Sequence, residues 1–230
     1  MADVIRSKPT ASRVVRVPAG RALLEGNLNL PANATGIVLF VHGSGSSRYS
    51  PRNRHVAEIL NRARLATLLF DLLMPEEEEV DEYSTELRFD IPLLSQRVVQ
   101  AIEWTTRHPE TRWLRLGCFG ASTGAAAALV AAAELPEAVQ AVVSRGGRPD
   151  LAGDALGRVR TPTLLIVGGA DREVLELNRG AMERLQGVKE LKVVPGATHL
   201  FEEPGALDNV AGLARDWFLQ YLAGAGSQAA

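Results

Sequence analysis

A single cysteine, Cys118, occurs in the 230 residues, so no internal disulfide can form, a structural zinc site has no thiolate set, and nothing marks an oxidising compartment. Long apolar runs are missing as well. The most apolar stretch, Ala125 to Ala133, falls far short of the roughly 20 residues that cross a bilayer. Neither sign of charge is in excess: 25 Lys and Arg stand against 27 Asp and Glu, leaving a net charge of -2 and no basic footprint for nucleic acid. Met1 to Thr10 carries charge but no apolar h-region of the kind a secretory signal needs. No glycine-rich nucleotide fingerprint, metal-ligand spacing or cofactor lysine is found. These absences lead to the expectation of a cytoplasmic protein without cofactor or metal, engaging neither nucleic acid nor membrane. They leave the oligomeric state open.

What is present is a composition 46% hydrophobic and 23% charged, enough for the core of one domain spanning 1–230. The segments 1–10 and 223–230 are expected to fray. Val14 to Val17 and Ala22 to Leu30 read as an antiparallel hairpin turning at Pro18, Ala19 and Gly20. From Gly36 the pattern changes to short β-branched runs separated by helical stretches, the mark of a buried parallel sheet. The strand candidates are Ile37 to Val41, Ala66 to Phe70, Leu114 to Phe119, Val139 to Val143, Leu164 to Val167 and Leu191 to Val194. Leu94, Val98, Ala101 and Ile102 share a helix face after a start signal at Asp90. Val210, Leu213, Ala214, Trp217, Phe218 and Tyr221 mark the last helix. The fold class is therefore α/β, a mostly parallel sheet with helices on both faces.

Gly120-Ala121-Ser122-Thr123-Gly124 matches G-x-S-x-G. Glycine and serine are common, so the pentapeptide gains weight from its context: an apolar strand ends at Phe119 and an alanine-rich helix starts directly after. Strand, sharp turn and helix would lift the Ser122 hydroxyl to the carboxyl end of the sheet. The Thr123 backbone N–H and the helix dipole would then face a developing oxyanion. As an alternative, Ser122 merely caps the helix.

A serine hydroxyl needs a base. Of four histidines, His55 and His108 fall on helix surfaces or ends, and His42 sits where it braces a loop. His199, between the last strand and the last helix, completes the chain order serine, acid, histidine. Asp171 follows the strand Leu164 to Val167 in Gly168-Gly169-Ala170-Asp171 and is the chosen acid, unless it caps a helix starting at Glu173. Asp150 ranks second because Gly146 and Gly147 would leave its loop mobile. Strand Ile37 to Val41 runs into His42-Gly43-Ser44-Gly45, where a second oxyanion donor belongs, Ser44 ahead of Gly45.

These residues resemble the α/β-hydrolase superfamily over nearly the whole chain, and more narrowly its dienelactone hydrolase-like branch. Dienelactone hydrolases proper carry cysteine as nucleophile where this chain has Ser122, and Cys118 falls inside the strand as core. The resemblance implies the fold and a hydrolytic mechanism on small carboxylic esters, with thioesters and lactones as alternatives and a non-catalytic binding scaffold as the competing class. It does not name the substrate.

Members of this fold that carry a helical cap insert it after the strand ending here at Val143, yet Ser144 to Thr161 leaves no room for one. The mouth should then be built by the loops Ser44 to Pro51, Leu72 to Glu86 and Arg145 to Leu156 and by the segment around His199. Glu76 to Glu79 is expected as a solvated rim. Arg48, Arg52, Arg54, Arg145 and Arg148 flank the mouth, and which of them meets a substrate is not readable from spacing.

Overall fold

The computed structural model describes residues 12–223, so of the segments expected to fray, 1–10 and all of 223–230 except Ala223 lie outside the described residues. Eight strands form one sheet in the order β1-β2-β4-β3-β5-β6-β7-β8. β1 (Arg13–Ala19) and β2 (Ala22–Asn29) make the antiparallel hairpin, and β2 joins β4 (Leu65–Phe70) in antiparallel register. From there the sheet is parallel through β3 (Gly36–Val41), β5 (Arg115–Ala121), β6 (Val139–Arg145), β7 (Thr163–Gly168) and β8 (Lys189–Val194). Every residue of β3, β4 and β7 is buried, which is why they read as unbroken apolar runs rather than alternating ones.

Helices cover both faces. On one side α3 (Ile91–Arg107) and α4 (Thr123–Glu134) close a core that includes Leu39, Leu68, Val98, Ile102, Leu129 and Val142. Asp90 starts α3 as the sequence indicates, its carboxylate accepting the Leu93 N–H at 3.0 Å. On the other side α1 (Pro51–Arg62) and α6 (Ala206–Leu222) cover Phe40, Phe119, Val143 and Ile166. Along α6, Val210, Ala214, Trp217 and Phe218 are buried, the stripe its periodicity predicts. α5 (Arg172–Arg184) packs beside β7, and no cap domain interrupts the described residues.

Two expected loops take regular form. The segment after β4 contains α2 (Pro75–Ser84), which holds the acidic run Glu76 to Glu79. Pro75 presets the first helical φ, and the Glu77 carboxylate accepts the Met74 N–H at 2.8 Å to close the first turn. Buried Arg97 of α3 then holds Glu77 at 2.7 Å and donates to the Leu72 carbonyl, so this glutamate is an anchor rather than a solvated charge. Pro149–Arg158 forms tight 3₁₀ turns kinked at Gly153.

Candidate active site

Ser122 occupies the N-cap position of α4 with φ 50° and ψ -124°, and its side chain makes no cap hydrogen bond. A non-glycine residue there carries strain of about 1–3 kcal/mol. The surroundings enforce it. A Cβ on Gly120 would fall 2.5 Å from the Ala125 Cα, and one on Gly124 would fall 2.2 Å from the Val41 carbonyl oxygen, so strand, helix and the neighbouring strand end meet at glycine-only distances. The Ser122 N–H donates to the Arg145 carbonyl at 3.3 Å, and its own carbonyl accepts the Arg148 N–H at 3.0 Å. The backbone of the elbow is thus pinned from β6 while the hydroxyl is left without a structural task.

Asp171 is at the N-cap position of α5, which begins at Arg172, but its carboxylate does not cap that helix. It accepts a hydrogen bond from His199 Nδ1 at 2.7 Å. With Nδ1 carrying the proton, Nε2 of His199 presents a free lone pair. The imidazole is 40% exposed and the aspartate 16%. The two loops are stitched together, since the Ala170 N–H donates to the Ala197 carbonyl at 2.9 Å and a Cβ on Gly168 would come within 2.3 Å of that same oxygen. Glu203 fixes the other side of the histidine loop. It accepts the Thr198 hydroxyl at 2.6 Å and the Thr198 N–H at 3.0 Å, and this bonding holds its carboxyl below the usual range.

Asp150, the second candidate for the acid, is engaged elsewhere: it forms a two-pronged pair with Arg148, Nε to Oδ1 at 2.9 Å and Nη2 to Oδ2 at 2.8 Å. Its loop is also better packed than its glycines suggest. A Cβ on Gly147 would strike Ser144 Oγ at 1.9 Å, and Gly146, at φ +49°, turns against His199.

The loop after β3 lies against the elbow, where a Cβ on Gly43 would fall 2.9 Å from that of Ser122. The Ser44 N–H points at Thr123 and donates to its hydroxyl oxygen at 3.0 Å. The Thr123 N–H, in the first turn of α4, has no acceptor within the helix. Buried His42 braces this loop, as its position suggested. Its Nε2 accepts the Leu72 N–H at 3.0 Å and its Nδ1 donates to the Gly43 carbonyl at 3.0 Å, which fixes a neutral tautomer, and burial lowers its pKa.

A cavity of about 290 Å³ opens beside the Ser44 loop. Leu72, Leu73 and Leu94 supply its apolar wall, and Glu78, Asp81 and Arg88 its polar one. Burial opposes ionisation of Asp81, but the Arg88 guanidinium and the N–H groups of Arg88 and Leu87 hold its carboxyl low. Arg88 and Asp81 have no motif; their pairing is set by the fold of α2 onto the following turn.

A family model described as the dienelactone hydrolase family matches residues 60–221. The chain belongs to that family. The crystal structure of a dienelactone hydrolase from Anabaena variabilis is 61% identical, covers 94% of this chain and 100% of that one, and superposes with a TM-score of 0.92. Est1E from Butyrivibrio proteoclasticus shares the α/β-hydrolase fold at 15% identity, over 90% of this chain and 98% of its own, with a TM-score of 0.75. A Mycobacterium tuberculosis H37Rv protein provisionally named a phosphoribosyl transferase is 56% identical over 224 residues, 97% of this chain and 50% of that protein. The chain thus spans about half the length of the curated relatives it matches. Family membership and fold are thus shared with the dienelactone hydrolase of Anabaena variabilis.

Within this family member the arginines of the mouth sort by their partners. Arg48 pairs with Asp71 and Glu25, Arg148 with Asp150, and Arg52 with Glu202 at 3.2 Å. Arg54 is exposed on α1. Arg145 is buried and pairs with no carboxylate among the described residues. No helix among the described residues is long and apolar enough to cross a membrane.

Proposed function

We propose that this hydrolase cleaves small carboxylic esters in the cytoplasm through an acyl-enzyme, with Ser122 as nucleophile, His199 as general base and Asp171 as the group that orients it. The observation that carries this reading is the strained, uncapped Ser122 at the elbow together with the 2.7 Å bond from His199 Nδ1 to Asp171. Serine oxygen attacks the ester carbonyl as its proton passes to His199 Nε2, and Asp171 stabilises the imidazolium that results. That proton then goes to the leaving alcohol. Water, activated by the same nitrogen, cleaves the acyl-serine and restores the hydroxyl.

The oxyanion would form between the α4 N-terminus and the Ser44 loop. The Thr123 N–H serves there directly. The Ser44 N–H is held by the Thr123 hydroxyl, so it serves as a shared donor, while that hydroxyl, accepting from Ser44, keeps its own proton to donate. Thioesters and lactones would pass through the same groups, and the family's name favours keeping the lactone in the screen.

A fluorophosphonate probe tests the reading. Wild type should gain one adduct, mapped to Ser122 by peptide mass, and Ser122→Ala none. An unlabelled wild type that binds small molecules without turnover would instead make the chain a binding scaffold. Turnover of matched acetate ester, thioacetate and lactone then ranks the three bonds.

A further inference from the structure

A second cavity, of about 220 Å³, lies where the N-terminal hairpin, β4 and α1 meet. Strand β2 alternates, and its buried Leu24 and Leu28 turn to the core closed by α3. Asn27 and Asn29, on the opposite face, turn to the cavity. Valine or threonine would suit a strand better than asparagine at both positions, so the two amides are held at a cost to the fold. Bonding within the protein does not offset it for Asn29, whose Oδ1 is buried without a donor among the described residues.

Thr67 of β4, in register with Asn29, and Asn61 of α1 extend the polar wall. Asn61 Nδ2 donates to the Leu65 carbonyl at 2.9 Å and to the Thr67 hydroxyl oxygen at 3.1 Å, which uses both of its protons. Its Oδ1, reached by that hydroxyl only at 3.5 Å, remains an acceptor. Tyr49 adds an aromatic ring that is 55% exposed. Arg48 holds the ring from one side, with Cζ 4.4 Å from the centroid and Nη2 donating to the phenol oxygen at 2.7 Å. Arg54 and Glu58, one turn apart on α1, are the charged members of the lining, and their charges cancel.

These features select one ligand chemistry. Side-chain amides both donate and accept, and so do hydroxyl groups. A fixed aromatic ring offers an apolar surface to the C–H face of a sugar ring. A lining without net charge favours neither anion nor cation. The volume is below the roughly 300–1,000 Å³ of sites for larger ligands, so it suits a single ring. We infer that this cavity binds one neutral polyhydroxylated ring, a monosaccharide or a cyclic polyol. It is separate from the hydrolytic site: Ser44, Ser46 and Ser47 line the cavity near the nucleophile, whereas Tyr49 of the same loop lines this one. Binding here does not depend on the esterase reading.

Sugars stabilise proteins generally by exclusion from their surface, so melting temperature is the wrong readout. Saturation-transfer and two-dimensional amide NMR on the whole chain, titrated with methyl β-D-glucopyranoside and with myo-inositol, read binding directly. At least one of the two should saturate in the millimolar range and shift the side-chain amides of Asn27, Asn29 and Asn61. Asn27→Val should weaken that binding by about tenfold through lost hydrogen bonds, yet unfold in urea no earlier than wild type because valine suits the strand. Tyr49→Leu should weaken it similarly, and Tyr49→Phe, which keeps the ring, should retain most of it. Ser122→Ala should bind as wild type does. Neither compound saturating, or shifts that centre on Ser44 and His199, overturns the site. Binding unchanged in both Asn27→Val and Tyr49→Leu does so too, as does a destabilised Asn27→Val, which would give the amide a purely structural task. Inorganic phosphate shifting the same amides in place of the sugar would make this an anion site around Arg54 and overturn the neutral ligand.

Discussion

The backbone N–H of Ser44 donates to the hydroxyl oxygen of Thr123 at 3.0 Å, across 79 residues of chain. The two positions expected to bind the oxyanion are therefore bonded to each other. Thr123→Val keeps the Thr123 N–H and the shape but removes the hydroxyl that orients Ser44. Steady-state kinetics should show kcat reduced by up to about 100-fold with KM little changed, since the loss falls on charge that develops in the transition state. Thr123→Ser should recover most of it. An unchanged kcat in Thr123→Val would mean that the hydroxyl is only a loop fastener.

The acid can be assigned by two isosteric changes. Asp171→Asn cannot enforce the Nδ1–H tautomer of His199 and should lower kcat by roughly 10⁴-fold, whereas Asp150→Asn breaks a pair with Arg148 and should leave the rate within about threefold. Ser122→Ala and His199→Ala should each remove nearly all turnover. Their double variant should be no worse than either alone.

Strand positions were legible because β3, β4 and β7 are buried on both faces, which only uninterrupted apolar runs can satisfy. The strand-end placement of the candidate residues Ser122, Asp171 and His199 was legible because each is announced within five residues by small neighbours at a strand end. Helix α2 was not. Its glutamates look like a solvated rim until Arg97, 20 residues away, is brought onto Glu77. The Thr123 hydroxyl escaped notice because its role is a contact with a distant loop. The unpaired state of Arg145 could not be read at all, since it depends on which side chains the fold brings around the end of β6.

His42 should make the fold acid-sensitive in a defined window. Burial lowers its folded-state pKa below the ordinary value of 6.5, so between 6.5 and that lowered value the unfolded chain takes up a proton that the native chain refuses. The contribution of the neutral imidazole is complete above pH 6.5 and is lost as pH falls through the window. Melting curves from pH 7.5 to pH 5 should show His42→Gln, which cannot titrate, losing less stability than wild type. Parallel slopes would rule out this histidine as the cause.

Gly124 tests the close approach of α4 to β3. A methyl there meets the Val41 and His42 carbonyl oxygens at 2.2 Å and 2.4 Å, backbone atoms that cannot rotate away. Gly124→Ala should cost about 1–3 kcal/mol or more by overpacking and should lower activity by shifting the elbow. Gly212, with open space around it, is the control, and Gly212→Ala should be neutral or slightly stabilising in helix α6. Urea unfolding of the two variants compares them directly.

The last prediction concerns acyl length. The cavity beside the Ser44 loop measures about 290 Å³, and its wall combines the apolar Leu72, Leu73 and Leu94 with the ionised Asp81–Arg88 pair and Glu78. A methylene contributes about 0.8 kcal/mol, or roughly fourfold in kcat/KM, only while apolar surface covers it. Beyond the leucines it would have to displace water from ionised groups. Rates for p-nitrophenyl esters should therefore rise from acetate and peak at about two to four carbons by that area argument. Leu73→Ala should move the optimum to longer chains by opening the wall, at a cost of about 2–5 kcal/mol in stability if the gap does not collapse. Octanoate or longer esters outpacing butyrate by tenfold, with the substrate monomeric, would mean that the acyl chain follows a path other than this cavity.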